Sequence, residues 1–378
     1  MKITIERNLL LNKLNLVAHA LAVKSPMPVL TGVKMEVEGN NVTFVASNGD
    51  ISIKTSLTYD EMTVEEEGAV VVSGKMFCDI IRSITAPNIL LYTEDSTLRI
   101  EAGKGKYKLN IMDVSTYPSI NFNYDEDMTP IKMNAGSFND MVKSVITSTA
   151  QSEKKPILTG VNFNCSNNVL VAVATDSFRL SRMEMPFANS MDFNVTIPNG
   201  ALNELMKCYD EKEEIEICIF KNTAGFKFAD TTFITRVIDA QYPNTSKLIG
   251  TEFTNTLEFN KDELLNSVER VMVLSPTGSE KEKEISYNVV GLKQTNTNTA
   301  ILEISNNHAG EAREEVALTV VDGENPVNIK FSGKYFTDAL KTFKSDKVRL
   351  KFNGEVRPFV IEGDNDKGLI QLILPVRM

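Results

Sequence analysis

The sequence predicts an α+β protein of three similar domains, each with two helices packed on antiparallel sheet. Three observations carry that prediction. The chain has 378 residues, more than one core normally holds and enough for two or three domains of ~100–200 residues each. One order of strand and helix patterns recurs three times along it. The strand runs are short and are separated by turns such as Gly39-Asn40-Asn41, Asn167-Asn168 and Asn353-Gly354, as antiparallel sheet requires.

The repeats justify each element in turn. Each third opens on an alternating strand: Ile3-Thr4-Ile5-Glu6, Ile131-Lys132-Met133-Asn134 and Leu257-Glu258-Phe259-Asn260. Helical spacing follows from Leu9 to Leu21, from Phe138 to Ile146 and from Leu264 to Leu274. Pro28-Val29-Leu30-Thr31-Gly32-Val33 is then echoed by Pro156-Ile157-Leu158-Thr159-Gly160-Val161, an offset of 128. Each echo leads through a strand-like run to a turn, Ser47-Asn48-Gly49-Asp50 or Thr175-Asp176-Ser177-Phe178.

A second helix repeats in all three thirds. Phe77-Cys78-Asp79-Ile80-Ile81-Arg82, Leu202-Asn203-Glu204-Leu205-Met206-Lys207 and Phe336-Thr337-Asp338-Ala339-Leu340-Lys341 share one order of apolar, acidic and basic residues. Ser73-Gly74, Asn199-Gly200 and Ser332-Gly333 precede them and suit a helix start. Tyr117-Pro118 and Tyr242-Pro243 close the first two repeats, where proline favours a turn or sheet edge. The predicted domains are 1–125, 126–251 and 252–378.

Composition excludes several classes. No run of ~18 apolar residues marks a membrane span, and the amino-terminal segment lacks a signal-peptide pattern, so a cytoplasmic protein with no membrane partner is expected. Cys78, Cys165, Cys208 and Cys218 form no CxxC pair, and His19 and His308 are the only histidines. That is too thin for a metal site, and the thiols read as small hydrophobes in a core. There is no phosphate loop, dinucleotide fingerprint, HExxH or GxSxG. Asp50 and Asp176 stand at nearby repeat positions, but in turns where aspartate caps backbone amides. No catalytic residue and no cofactor is predicted, and a non-enzyme is favoured. The formal net charge of −10 argues against nucleic-acid binding only if the bases are scattered; an acidic exterior with a basic inner face satisfies both.

The chain resembles the beta sliding clamp of bacterial DNA polymerase III over essentially its whole length. Ala174-Thr175-Asp176-Ser177-Phe178-Arg179-Leu180, Tyr242-Pro243-Asn244 and Leu374-Pro375-Val376-Arg377-Met378 are similar to that family's TDGHRL, F/Y-P-D/N and MPMRL-like segments. The resemblance implies the DNA clamp fold and a head-to-tail homodimer that closes a ring around double-stranded DNA without reading its sequence. It implies tethering of the DNA polymerase III alpha subunit, opening by a clamp loader, and binding of other proteins that carry a clamp-binding motif. Two chains would place twelve helices around a hole. At ~10 Å between helix axes the circumference is ~120 Å and the ring ~38 Å across between axes; removing one ~10 Å helix diameter leaves ~28 Å, room for a hydrated duplex.

The resemblance also implies site residues. A peptide pocket would use Leu158, Thr175, Ser177, Phe178, Arg179 and Leu180, then Pro243, Lys247 and Leu248. Its far side would be Leu372, Ile373, Leu374, Pro375, Val376, Arg377 and Met378. This set offers aliphatic walls with a basic rim, fit for an extended peptide with apolar anchors. Phe178 departs from the family's histidine, Ser177 from its glycine and Thr245 from its tyrosine, which puts the peptide preference in question. DNA-facing bases would be Lys24, Lys75, Arg82, Lys143, Lys207 and Lys341, with Lys13 and Lys334 also on or beside helices. Lys24 matches a DNA-contacting family position, whereas Asn199 and Gly200 stand where the family has a base. The dimer contact would set Tyr107 and Leu109 on an edge strand against the partner's Val273 and Leu274. Two rival readings are a scaffold that never touches DNA and a small-molecule enzyme using Asp50 or Asp176.

Overall fold

The computed structural model describes residues 1–39, 41–58, 62–123, 130–187, 192–275, 288–306, 309–323 and 325–376. Among them six α-helices and twenty-six strands follow one order three times: a strand, a first helix, a set of strands, a second helix and three closing strands. The helices are α1 (Arg7–Ala18), α2 (Gly74–Ser83), α3 (Ala135–Val145), α4 (Asn199–Leu205), α5 (Lys261–Met272) and α6 (Gly333–Leu340). The expected α+β class of three similar two-helix domains on antiparallel sheet is what the elements show. The boundary drawn at 125–126 lies outside the described residues.

The first helices end earlier than the apolar spacing predicts. Beyond Ala18, Val145 and Met272 the chain tightens into three-residue turns: Leu21 N–H donates to Ala18 O (3.2 Å), Leu274 N–H to Val271 O (3.3 Å), and Ile146–Ser148 is a 3₁₀ turn. Apolar residues keep nearly the same face through such turns, so spacing alone cannot mark the end. At the second helices, Ser332 Oγ accepts from Tyr335 N–H (3.4 Å), but Ser73 makes no such bond and α4 begins at Asn199 itself. The glycines matter more. A Cβ on Gly74 would lie 2.6 Å from Leu21, and one on Gly333 would lie 2.6 Å from Met272 Sδ. Glycine at these two helix starts therefore leaves room for Leu21 and Met272, which a side chain there would force to shift.

By contacts the chain divides into two units that share out the middle repeat: Met1–Asn139 with Gly200–Val237, and Asp140–Asn199 with Ile238–Met378. In the first unit all strands join one thirteen-stranded sheet. Its seam pairs Thr231–Arg236 with Ile51–Thr58, setting Ile234 opposite Ser52 and Thr235 opposite Ile51. Ile51, Ile53, Thr55 and Leu57 point inward at every second residue, the period of a half-buried strand. The buried Thr55 hydroxyl donates to Asp230 (3.1 Å), and Lys13 of α1 pairs with that same carboxylate group. Lys13 is thus a structural strut rather than a free surface base.

The second unit holds a nine-stranded and a four-stranded sheet. Its seam pairs Arg179–Pro186 with Leu369–Ile373, setting Leu180 opposite Leu372. Helices α5 and α6 cover a core that includes Phe331, Phe336 and Phe359, whose rings meet at 4.5–6.1 Å. Burying each such ring contributes roughly 1.5–3 kcal/mol, so the aromatic cluster anchors this unit. No helix among the described residues is long and apolar enough to cross a membrane.

Candidate functional site

The predicted peptide residues converge in the second unit around the turn that follows strand Val169–Thr175. Thr175 Oγ1 donates to Arg179 O (2.6 Å) and accepts from Ser177 N–H (3.1 Å). Asp176 Oδ1 accepts from Phe178 N–H (2.9 Å) and Arg179 N–H (3.0 Å). This network clamps Ser177 at φ +82°, a left-handed conformation that favours glycine and taxes serine. One oxygen of the aspartate is thus taken up by backbone amides, as a turn cap requires.

Beneath the turn, Val173, Leu180, Val360 and Leu372 form a small buried cluster, with Tyr242, Ile249 and Phe253 packed on it. Tyr242 Oη accepts from Thr175 N–H (3.1 Å), and burial pushes its phenol well above the usual range. Phe178 O accepts from Leu374 N–H (2.9 Å), which fixes the C-terminal segment beside the turn; Val376 N–H donates to Lys330 O (2.8 Å). Phe178 (47% exposed), Leu248 (55%) and Leu374 (38%) offer apolar surface to solvent. A separate cleft of about 420 Å³, not lined by these three residues, is walled by Val171, Val173, Tyr242 and Pro243 together with polar Asn162, Asn164, Arg182 and Asn194.

The predicted residues thus separate by role. Leu180 and Leu372 are buried and form floor rather than contact surface, Ile373 is buried in the core under α5 and α6, and Leu158 is buried in the turn Pro156–Thr159 outside that cluster. Pro243, Lys247 and Leu248 lie exposed on one segment, and Pro375 and Val376 are half-buried. Arg377 and Met378 lie outside the described residues. Arg179 corrects the expectation of a basic rim: it is 7% exposed, bonded to Asp176 (3.1 Å) and Asp338 (2.8 Å), with its guanidinium 4.3 Å from the Tyr335 ring. It is an interior strut. Sequence reasoning missed Asp338, Tyr335 and Val360 as supports, because no local pattern ties them to the turn.

The candidate DNA-facing bases are all exposed. Arg82, Lys207 and Lys341 share one place, the end of the second helix, and each also pairs with a nearby acid: Asp79 (3.1 Å), Glu204 (2.8 Å) and Glu269 (2.8 Å). Lys334 pairs with Asp338 (3.3 Å). Lys24 and Lys75 have no ion pair among the described residues, and Lys143 sits in the last turn of α3.

Of the dimer candidates, Tyr107 is 37% exposed but Leu109 only 7%. They lie on Gly105–Met112, which pairs with Thr97–Ala102 along its length and with Gly68–Ser73 only near 111–112, so Gly105 to Asn110 keep one open edge. Val273 is 79% exposed, and Leu274 is half-buried against the core. Both follow the end of α5 rather than lying on a strand, which corrects the picture of strand meeting strand at these residues. The outer strand nearby is Gly310–Ala317, tied to α5 by Arg270–Glu314 (2.6 Å).

Asp50, the other acid singled out, caps nothing. In the first repeat Asn48 Oδ1 accepts from Asp50 N–H (3.0 Å) and Ile51 N–H (2.8 Å), so Asn48 is the counterpart of Asp176. All four cysteines are buried and free, and burial raises the Cys78 thiol to about 11. No cluster among the described residues could hold a metal ion.

Three family descriptions match the chain: DNA polymerase III beta subunit N-terminal domain over residues 1–121, central domain over 132–244 and C-terminal domain over 246–377. The beta sliding clamp of Bacillus subtilis is 31% identical, with all of both chains covered, and that of Staphylococcus aureus strain N315 is 30% identical, covering 100% of this chain and 99% of its own. Among solved structures, the DNA polymerase sliding clamp from Bacillus subtilis superimposes with a TM-score of 0.93 at 29% identity, covering 100% and 99%. The DNA polymerase III beta chain of Streptococcus pneumoniae TIGR4 gives 0.92 at 28%, with both chains fully covered. Full-length similarity together with the threefold repeat shows that the chain belongs to the DNA polymerase III beta subunit family, the beta sliding clamps.

Proposed function

We propose that this chain is a non-catalytic clamp that closes as a head-to-tail homodimer around double-stranded DNA and tethers the replicative polymerase to it. The observation that carries the reading is the end-to-end match to beta sliding clamps over a chain whose elements repeat three times. Domains 1–125, 126–251 and 252–378 are the corresponding units of the ring. Sliding needs weak, unspecific contacts. Arg82, Lys207 and Lys341 fit that need, because a phosphate must displace a carboxylate partner held by about 0–1 kcal/mol at the surface. Lys24, Lys75 and Lys143 add charge, and none reads a base. Tethering then raises the local polymerase concentration, so dissociation is followed by rebinding.

The apolar surface of Phe178, Leu248 and Leu374 is the proposed docking site for extended peptides of the polymerase alpha subunit, the clamp loader and other partners. Its exposed apolar side chains over a rigid buried floor are the form that anchor residues bind. For ring closure, the open edge at Gly105 to Asn110 carries exposed Lys106 and Lys108 around Tyr107, with Lys104 just before it, and the outer strand Gly310–Ala317 carries exposed Glu311 and Glu315 beside a single exposed Arg313. Opposite charge on two unpaired edges favours their meeting between chains. Leu274→Lys, beside that strand, yields monomers by sedimentation; a persistent dimer removes this interface.

The decisive experiment loads the protein onto nicked circular DNA with a bacterial clamp loader and ATP, then linearises the DNA. Retention on circles with loss from linear ends is the expected outcome. Equal retention on both would mean ordinary binding and would overturn the encircling mechanism.

A further inference from the structure

The turn at 175–179 has a twin in the first unit, at an offset of 128. Gly49 N–H donates to Ser47 Oγ (3.1 Å) as Ser177 N–H does to Thr175 Oγ1, and Ser47 Oγ donates to Ile51 O (3.2 Å) as Thr175 Oγ1 does to Arg179 O. Asn48 repeats both bonds of Asp176, and Gly49 adopts φ +95° where Ser177 adopts +82°. Arg236 N–H donates to Asp50 O (2.9 Å) just as Leu374 N–H does to Phe178 O. Tyr117, pushed up by burial like Tyr242, packs beneath with its hydroxyl near Val45 O (3.5 Å). A cleft of about 490 Å³ opens here, wholly within the first unit, walled by Met27, Leu30, Ile120, Phe220 and Ile234.

The rim differs in kind. Where the second unit exposes Phe178 and Leu374, this cleft exposes Asp50 and Arg236, and neither charged side chain has a hydrogen bond or ion pair among the described residues. We propose that it is a second linear-peptide site, which takes an extended segment holding an aliphatic residue between a basic and an acidic one. The aliphatic side chain enters the pocket, the base meets Asp50 and the acid meets Arg236. A wholly apolar peptide is rejected, because it would cover two charges and pair neither. The proposal rests on the reading of the apolar surface at Phe178, Leu248 and Leu374 as a peptide site, since the turn backbone is what the two places share.

The test places an environment-sensitive thiol fluorophore on Met27→Cys (45% exposed) or, separately, on Leu248→Cys (55% exposed); the four native thiols are buried. Probes are the capped peptides Ala-Lys-Leu-Glu-Ala and Ala-Glu-Leu-Lys-Ala, covering both charge orders, and the apolar Ala-Phe-Leu-Leu-Ala. The Met27 reporter is expected to respond saturably to one charged peptide and at least ~tenfold more weakly to the apolar one, about 1.4 kcal/mol of discrimination. Asp50→Phe with Arg236→Leu, verified as folded by an unchanged thermal melt, reverses that order. No saturable response at Met27, equal response to charged and apolar peptides, or an unchanged order in the double variant overturns the proposal. The Leu248 reporter separates the two readings: its silence toward the apolar peptide sinks the second-unit site, whatever Met27 reports.

Discussion

The turns at 47–51 and 175–179 share their hydrogen bonds and their left-handed central residue, yet they sit over different interiors. Under the second lies Arg179, held between Asp176 and Asp338 and stacked on Tyr335. Under the first, the same position is Ile51, 7% exposed and paired across the seam with Thr235. The turn conformation depends on a hydroxyl at its start and an acceptor oxygen one residue later. Ser47 with Asn48 and Thr175 with Asp176 meet that demand equally. The residues that follow are then free to diverge, toward an exposed apolar rim in one unit and a charged rim in the other.

The comparison can be broken first at its interior. Arg179→Ala leaves two largely buried carboxylates without their shared partner and is expected to cost about 3–5 kcal/mol. Ile51→Val at the twin position is expected to cost about 1 kcal/mol. Urea unfolding at unchanged slope measures both; equal losses would mean that the ion pairs do not hold the second turn. The left-handed residue gives a finer test. Gly49→Ser is expected to cost about 1 kcal/mol, since a Cβ at φ +95° is strained even where space is open. Ser177→Gly relieves the same strain but frees the unfolded chain, for a net gain of at most about 0.5 kcal/mol in thermal unfolding. A loss on Ser177→Gly would show that the serine side chain carries some other contact.

Much of this was legible in the chain because repeats, strand alternation and helical spacing are local signals. The offset of 128 alone aligns the two turns. What misled was matching by charge: Asp50 was set beside Asp176, although the amide oxygen of Asn48 does the same accepting work. The resemblance sets Arg179 in a basic-rimmed pocket, and an arginine read alone fits a rim because the residue is usually exposed. Nothing local announces Asp338, 159 residues away, as its partner. The same blindness hid the first-unit cleft, whose rim joins Asp50 to Arg236 across a sheet seam.

The sequence by itself determined the class, the threefold element order, the turn chemistry and the family, since each is written in neighbouring residues or in end-to-end resemblance. Only the tertiary structure decided that the middle repeat is shared between two sheet-bearing units, which leucines are floor and which are surface, and where the charges of Arg179, Asp50 and Arg236 lie. Those outcomes depend on burial and on pairing between distant strands, and a side chain's chemistry does not state what will be packed against it.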